Sequence, residues 1–315
     1  MNRTSANQTA VSALTIFLLW NCSVGTLWAG DAPKGGSGLA IPVYRSQVSE
    51  VQITFSATDQ NHHAIATLSA SDFAVVDKDI VVRTFRGFSR AQYTRLELAV
   101  VVDNSGSVAP RFEQVAAEVA SLLSQTSGVP EASVSIISFR GIQPALICKD
   151  NCGSANPASL VPAGLPGGLT PLFDSLKLAA DSFSENSDGH IRKAVILFSD
   201  GEDTISRASS NEAIAAMVAN DVQVYSVSIG RNAASSGAAF LEKLSSLTGG
   251  RSFQLNNGAQ TVADAVLDDF HASYQVTYRL PYPSTGFHAV RILPTHNLNL
   301  TFRCRQGYFD SADSH

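Results

Sequence analysis

The chain has little charge. Asp, Glu, Lys and Arg make up 16% of 315 residues, and the net charge is −5. It lacks the basic surplus that would follow a phosphate backbone, so nucleic-acid binding is not expected. Beyond the N-terminus there is no run of about 18 apolar residues, so no stable membrane span is indicated. No Gly-x-Ser-x-Gly elbow is present, which removes the usual serine-hydrolase signature. No Gly-x-x-x-x-Gly-Lys loop is present, which removes the phosphate-loop nucleotidases. No internal repeat is visible, so a solenoid or propeller is not expected. The 44% of hydrophobic residues, in turn, describes a chain that folds around a core.

Cysteine is also scarce, with four in the chain. Cys22 lies in the N-terminal stretch, where residues 1–30 read as an export signal. Arg3 is the only charge there, an apolar stretch runs from Val11 to Trp20, and small residues suited to cleavage follow at Ser23/Gly25 or Ala29/Gly30. The expected location is the periplasm or the exterior. Without cleavage, residues 11–28 would act as an anchor. Cys22 follows Leu19, Trp20 and Asn21, bulky or polar where a lipidation site wants small residues. Residues 31–39 read as a linker, and the Gly-Ser-Gly within it is no dinucleotide loop because no strand precedes it.

Cys148, Cys152 and Cys304 remain after cleavage, and an exported protein permits disulfides. Cys148 and Cys152, in Cys-Lys-Asp-Asn-Cys, are close enough to bridge, with Cys304 free or pairing with one of them. Zinc is the rival reading, weakened by the lack of a nearby His or further Cys.

Residues 40–94 alternate as strands do, with Val51, Ile53 and Phe55, then Phe73, Val75 and Val76, then Val81, Val82 and Phe85. The pattern changes at about residue 95. Leu96–Val102 is a buried-strand run ending in Asp103. Helical spacing follows over 111–125, then a strand over 134–139, a helix over 171–183 and a strand over 194–198. A helix over 211–218, a strand over 222–229, a helix over 240–247, a short strand over 252–255 and a helix over 262–270 complete the run. This alternation predicts an α/β domain over 95–275, a doubly wound, mostly parallel sheet covered on both faces. Strand patterns return over 274–280, 289–293 and 298–303. Segment 276–315 is therefore expected to pack with 40–94 as one small β domain, with the α/β domain inserted.

Three places in the α/β region end a strand or open a helix with oxygen-bearing side chains. They are Asp103-Asn104-Ser105-Gly106-Ser107, then Thr170 in Gly167-Gly168-Leu169-Thr170-Pro171, then Ser199-Asp200-Gly201. Ligands of open α/β sheets bind at the C-terminal strand ends, near the reversal of strand order. Asp103, Ser105, Ser107, Thr170 and Asp200 are hard oxygen donors, which favours Mg2+, with Mn2+ or Ca2+ as substitutes, over zinc or copper. Each piece has an ordinary reading too. The serines would cap the next helix, Thr170 would be an N-cap before Pro171, and Asp200-Gly201 would be a turn. Their joint placement favours the metal.

The same three motifs resemble the metal-ion-dependent adhesion site of von Willebrand factor A domains, a match covering roughly residues 95–275. Residues 68–73 (Leu-Ser-Ala-Ser-Asp-Phe), Gly249-Gly250-Arg251 and Arg305-Gln306-Gly307-Tyr308-Phe309 are similar to a bacterial VWFA-related family first recognised in Acidobacteria. Where that family carries an Asp-Gly turn, this chain has Asp77-Lys78-Asp79. The resemblance implies a Rossmann-like fold in which Ser105 and Ser107 bind the ion directly. Thr170 would join them in the ligand-competent state, and Asp103 and Asp200 would act mainly through water. It also implies a last helix, here about 262–273, that shifts in some members when the site fills. The function implied is binding, not catalysis: a protein or glycan partner offers a carboxylate that completes the coordination.

Two rivals stand beside this reading. In a structural subunit of an envelope assembly the metal would only stiffen the loops. A metal-dependent hydrolase would need a positioned base, and Glu202 and Asp203 are the nearby candidates, though solvated acidic residues are the commoner case. His62 and His63 are read as a loop pair, and His190, His271, His288 and His296 carry no pattern. Tyr274, Tyr278, Tyr282 and Phe287 are read as packing within the β domain.

Overall fold

The computed structural model describes residues 50–310, apart from 62, 66, 92–93, 127–131, 151, 153–166, 185–190, 231, 233, 256–260 and 281–284. The export signal over 1–30, the linker over 31–39, the start of segment 40–94, His62, His190 and Tyr282 fall outside the described residues.

Among the described residues, four strands precede the α/β domain: β1 (Glu50–Thr58), β2 (Phe73–Asp77), β3 (Ile80–Val82) and β4 (Gly87–Arg90). The domain then runs β5 (Arg95–Asp103), α1 (Phe112–Thr126), β6 (Ser133–Arg140), β7 (Gln143–Cys148), α2 (Leu172–Ser182) and β8 (Ile191–Ser199). It continues with α3 (Ser210–Ala219), β9 (Val222–Ser228), α4 (Ser236–Thr248), β10 (Ser252–Gln254) and α5 (Val262–His271). Four more strands follow among the described residues: β11 (Ser273–Arg279), β12 (Gly286–Pro294), β13 (Thr301–Cys304) and β14 (Gly307–Asp310).

The central sheet has the order β10-β9-β8-β5-β6-β7. All its pairings are parallel except β6 with β7. β5 is buried from Leu96 to Asp103 because helices cover both of its faces. Leu98, Val100 and Val102 pack with Val115, Val119 and Leu122 of α1 and Val266 of α5. Ala99 and Val101 pack with Leu172 and Leu176 of α2, Met217 of α3 and Leu241 of α4. The chain leaves β5 for β6 on one side and returns to β8 on the other. The reversal of strand order therefore falls between the C-terminal ends of β5 and β8.

The edge strand β7 is absent from the sequence reading for a physical reason. It carries Pro144, which demotes a strand pattern, and it is half exposed. Cys148 at its end is bonded to Cys152, and Cys304 is free.

The flanking strands make two further sheets, β13-β1-β11-β4 and β14-β12-β2-β3, each mixing strands from before and after the α/β domain. Phe55, Phe73, Val75, Tyr274, Val276, Val290 and Ile292 fill the space between them. β11 starts at Ser273, so it crosses the 275/276 boundary expected from the sequence. A single residue, Ala272, separates it from α5.

Polar groups tie this sandwich to the N-terminal end of the parallel strands. Arg303 on β13 pairs with Asp269 of α5 and donates to the Gly249 carbonyl and the Ser56 hydroxyl. Asp269 also accepts from the Tyr225 hydroxyl at 2.6 Å. Arg305 donates to Asp221 at 2.6 Å and to the Gln52 carbonyl at 2.8 Å.

Candidate functional site

The first loop leaves β5 at Asp103, whose side chain is fully buried. Its Oδ1 accepts the Ser105 backbone N–H at 2.9 Å, and its Oδ2 accepts the Ser199 hydroxyl at 2.8 Å. Ser105 Oγ lies 3.1 Å from Ser107 Oγ. Ser105 is buried and Ser107 is exposed, so the pair opens from the sheet edge toward solvent. Neither serine caps the next helical segment: a 3-10 turn over Ala109–Arg111 begins after Val108, with no side-chain cap.

The second loop reaches Thr170. Its backbone N–H donates to Thr204 Oγ1 at 2.8 Å, and its carbonyl accepts from Thr204 N at 3.0 Å. Thr170 does not cap α2. The first N–H groups of that helix go to Asp203 Oδ2, from Phe173 at 3.1 Å, and to Ser206 Oγ, from Asp174 at 3.1 Å.

The third loop turns at Asp200-Gly201. Asp200 Oδ1 accepts the Glu202 N–H at 3.1 Å, which is the turn expected of that pair. Gly201 has φ of 82°, and a Cβ there would lie 2.2 Å from the Gly237 carbonyl. Only glycine lets this loop press against the start of α4.

The three loops are tied pairwise. Gly167 N donates to the Asn104 carbonyl at 3.1 Å, joining the first to the second. Ser199 to Asp103 joins the first to the third, and Thr170 to Thr204 joins the second to the third. All five residues picked from the sequence thus belong to loops closed on one another at the reversal of strand order. Ser199 and Thr204, which hold Asp103 and Thr170, are not among the five. Ser199 is visible in the sequence as the neighbour of Asp200. Nothing in the sequence marks Thr204.

The electrostatics of the site are unbalanced. Burial pushes the Asp103 carboxyl up to about 6, against the hydrogen bonds from Ser105 and Ser199, and the charge of Asp200 adds to the rise. Among the described residues no salt bridge reaches Asp103 or Asp200. A buried carboxylate without a counter-charge is costly, and a bound cation would relieve it. Among the described residues no group of three or more His, Cys, Asp or Glu is placed to hold a metal ion. The donors here are two carboxylates and three hydroxyls, a set that fits Mg2+, Mn2+ or Ca2+ and not zinc.

Glu202 and Asp203, the candidate bases, are engaged elsewhere. Glu202 Oε1 accepts from Ser236 Oγ and Gly237 N, each at 2.8 Å, at the start of α4. Asp203 serves Phe173 N and the Ser206 hydroxyl.

An open, doubly wound sheet with oxygen donors gathered at its reversal point defines the class of domain. The family model for the von Willebrand factor type A domain matches residues 97–266, more than half of the chain, and the chain belongs to that family. Among solved structures, the chain is similar to an aerotolerance-related membrane protein from Bacteroides fragilis. Identity is 17% and the TM-score 0.41, over 56% of this chain and 98% of that one. It is also similar to the SpRpn10 VWA domain at 16% identity and a TM-score of 0.42, over 54% of this chain and 93% of that one. No curated protein matches it. Among the described residues no helix is long and apolar enough to cross a membrane.

Proposed function

We propose that the chain binds a protein partner through a divalent cation, Mg2+ in the first instance, held by Asp103, Ser105, Ser107, Thr170 and Asp200. The observation that carries this reading is the closed set of hydrogen bonds tying the three loops together around a buried carboxylate that no salt bridge among the described residues reaches. Ser105 and Ser107 would offer hydroxyl ligands and Thr170 a third, with the two carboxylates acting mainly through water. Neutral hydroxyls leave positive charge on the ion. A carboxylate of the partner then becomes its strongest available ligand, and Mg2+ accepts such mixed shells. Partner and ion consequently raise each other's affinity.

The reading makes the protein an exported binder and not an enzyme. The engagement of Glu202 Oε1 at the start of α4 and of Asp203 at the start of α2 gives both residues a structural role and supports this reading.

The test is capture of envelope proteins by the full chain in Mg2+, in EDTA, and with Ser105→Ala in Mg2+. The expected result is a partner retained only by the intact chain in Mg2+. Equal capture under all three conditions would contradict the proposal. Loss of thermal stability in Ser105→Ala with capture intact would instead mark the site as a structural staple.

A further inference from the structure

A cleft of about 550 Å³ opens where α4 and the start of β10 meet β12 and β13. The stretches 250–252, 290–293 and 302–304 line it. A strand seen on its face offers every second residue, because side chains alternate. Here consecutive residues of β12 and of β13 line the cleft, so it meets both strands along an edge. β13 is the last strand of its sheet, and among the described residues its strand partner is β1. β14 covers β12 over Gly286–Ala289, and beyond them the Val290 N–H goes to the Gln306 carbonyl at 2.9 Å. Backbone groups of an antiparallel strand turn to the same side at every second residue. Ile292 therefore presents its N–H to the cleft, where it meets the Cys304 sulfur, a weak acceptor. Open strand edges are templates for another strand. The side chains say which kind. Ile292, Phe302 and Cys304 belong to the apolar filling of the sandwich, and at the cleft that filling reaches the edge. The charged residues lining the cleft are Arg251, Arg291, Arg303 and Glu242. Arg303 is committed to Asp269. Among the described residues Arg251 has no salt bridge. Arg291 has Asp79 at 3.9 Å with both side chains mostly exposed, an arrangement worth little.

We propose that this cleft takes an extended segment of a partner protein, added as a strand along β13, with apolar residues at alternate positions and Asp or Glu between them. The apolar set would continue the sandwich filling beside Ile292 and Phe302. The acids would meet the guanidinium groups of Arg251 and Arg291. Backbone hydrogen bonds supply affinity in such an addition, and the alternate side chains supply specificity. None of Asp103, Ser105, Ser107, Thr170 and Asp200 lines the cleft, so the inference stands apart from the metal reading.

The experiment measures binding of fluorescent nonapeptides to the full chain, in Mg2+ and in EDTA. The peptides alternate Val with Asp, with Ser or with Lys. Two further versions of the Val/Asp peptide carry N-methyl groups on one or the other alternate set of amides. The expected result is binding of the Val/Asp peptide equally in Mg2+ and EDTA, about tenfold weaker binding of Val/Ser, and none of Val/Lys. One N-methylated set should abolish binding and the other should leave it, because only one set faces β13. Arg251→Glu and Arg291→Glu should each weaken Val/Asp binding about tenfold with the melting temperature unchanged. Binding of no peptide, equal binding of Val/Asp and Val/Lys, or indifference to N-methylation would overturn the proposal. Loss of binding in EDTA would move the peptide to the metal site and overturn it too. So would sedimentation as a dimer that Arg251→Glu dissociates, since the cleft would then hold a second copy of this chain.

Discussion

Lys78 and Asp79 sit at φ of 44° and 67° between the paired residues Asp77 and Ile80. Two residues of positive φ closing a hairpin make a type I′ turn, which prefers glycine at its second position. Asp tolerates the left-handed region better than most residues, yet still at a cost. Asp79→Gly is therefore expected to stabilise the protein by about 0.5 kcal/mol, the turn's gain partly offset by the added freedom of glycine when unfolded. Urea denaturation checks it: the midpoint should rise with the slope unchanged. The neighbouring Asp77 does something the sequence does not announce. It is fully buried and accepts from Tyr278 at 2.6 Å and Tyr308 at 2.8 Å, with His288 Nδ1 2.8 Å from its other oxygen. Burial, with Asp77 beside them, pushes both phenols well above their usual range. His288 and Tyr278 are patternless in sequence because their shared partner lies some 200 positions away. The metal-site residues are legible for the opposite reason, since three of the five fall within one pentapeptide.

Strands and helices are readable where one element carries its own period. β5, β8 and β9 are buried almost through their length because both faces are covered, and each carries enough Val, Ile, Leu or Ala to read as a buried strand. β4 and β14 escape notice because each is four residues long and contains glycine, so neither shows enough alternation. The joint between α4 and the sandwich illustrates what pairing adds. Gly249, at φ 77°, ends α4, and a Cβ there would lie 2.5 Å from Arg305 N. Gly250 lies so close to β9 that a Cβ would sit 1.9 Å from the Val224 carbonyl. The two distant motifs, Gly249-Gly250-Arg251 and the segment from Arg305, thus meet in the fold, and Gln306 N donates to the Leu247 carbonyl at 3.0 Å. β9 lies between β8 and β10, so its backbone has little room to retreat. Gly250→Ala is expected to cost about 3 kcal/mol, read as a lowered melting temperature.

At the scale of the whole molecule, the two flanks of the chain complete each other's sheets, and the α/β domain is inserted between them in sequence. α5 runs into β11 with one intervening residue, and its Asp269 is gripped by Arg303 and Tyr225. The sandwich docks at the N-terminal end of the parallel strands, and the candidate metal site opens at the other end. Any displacement of α5 on ligation would therefore be felt by the sandwich. The measurement that tests the account most directly is calorimetric titration of Mg2+ into the full chain, beside Asp103→Ala and Ser105→Ala. The account predicts one saturable site in the intact protein, binding weakened at least about tenfold in each variant, and unchanged unfolding of the EDTA-treated Ser105→Ala. Identical titrations in all three proteins, or no binding by the intact chain, would contradict it.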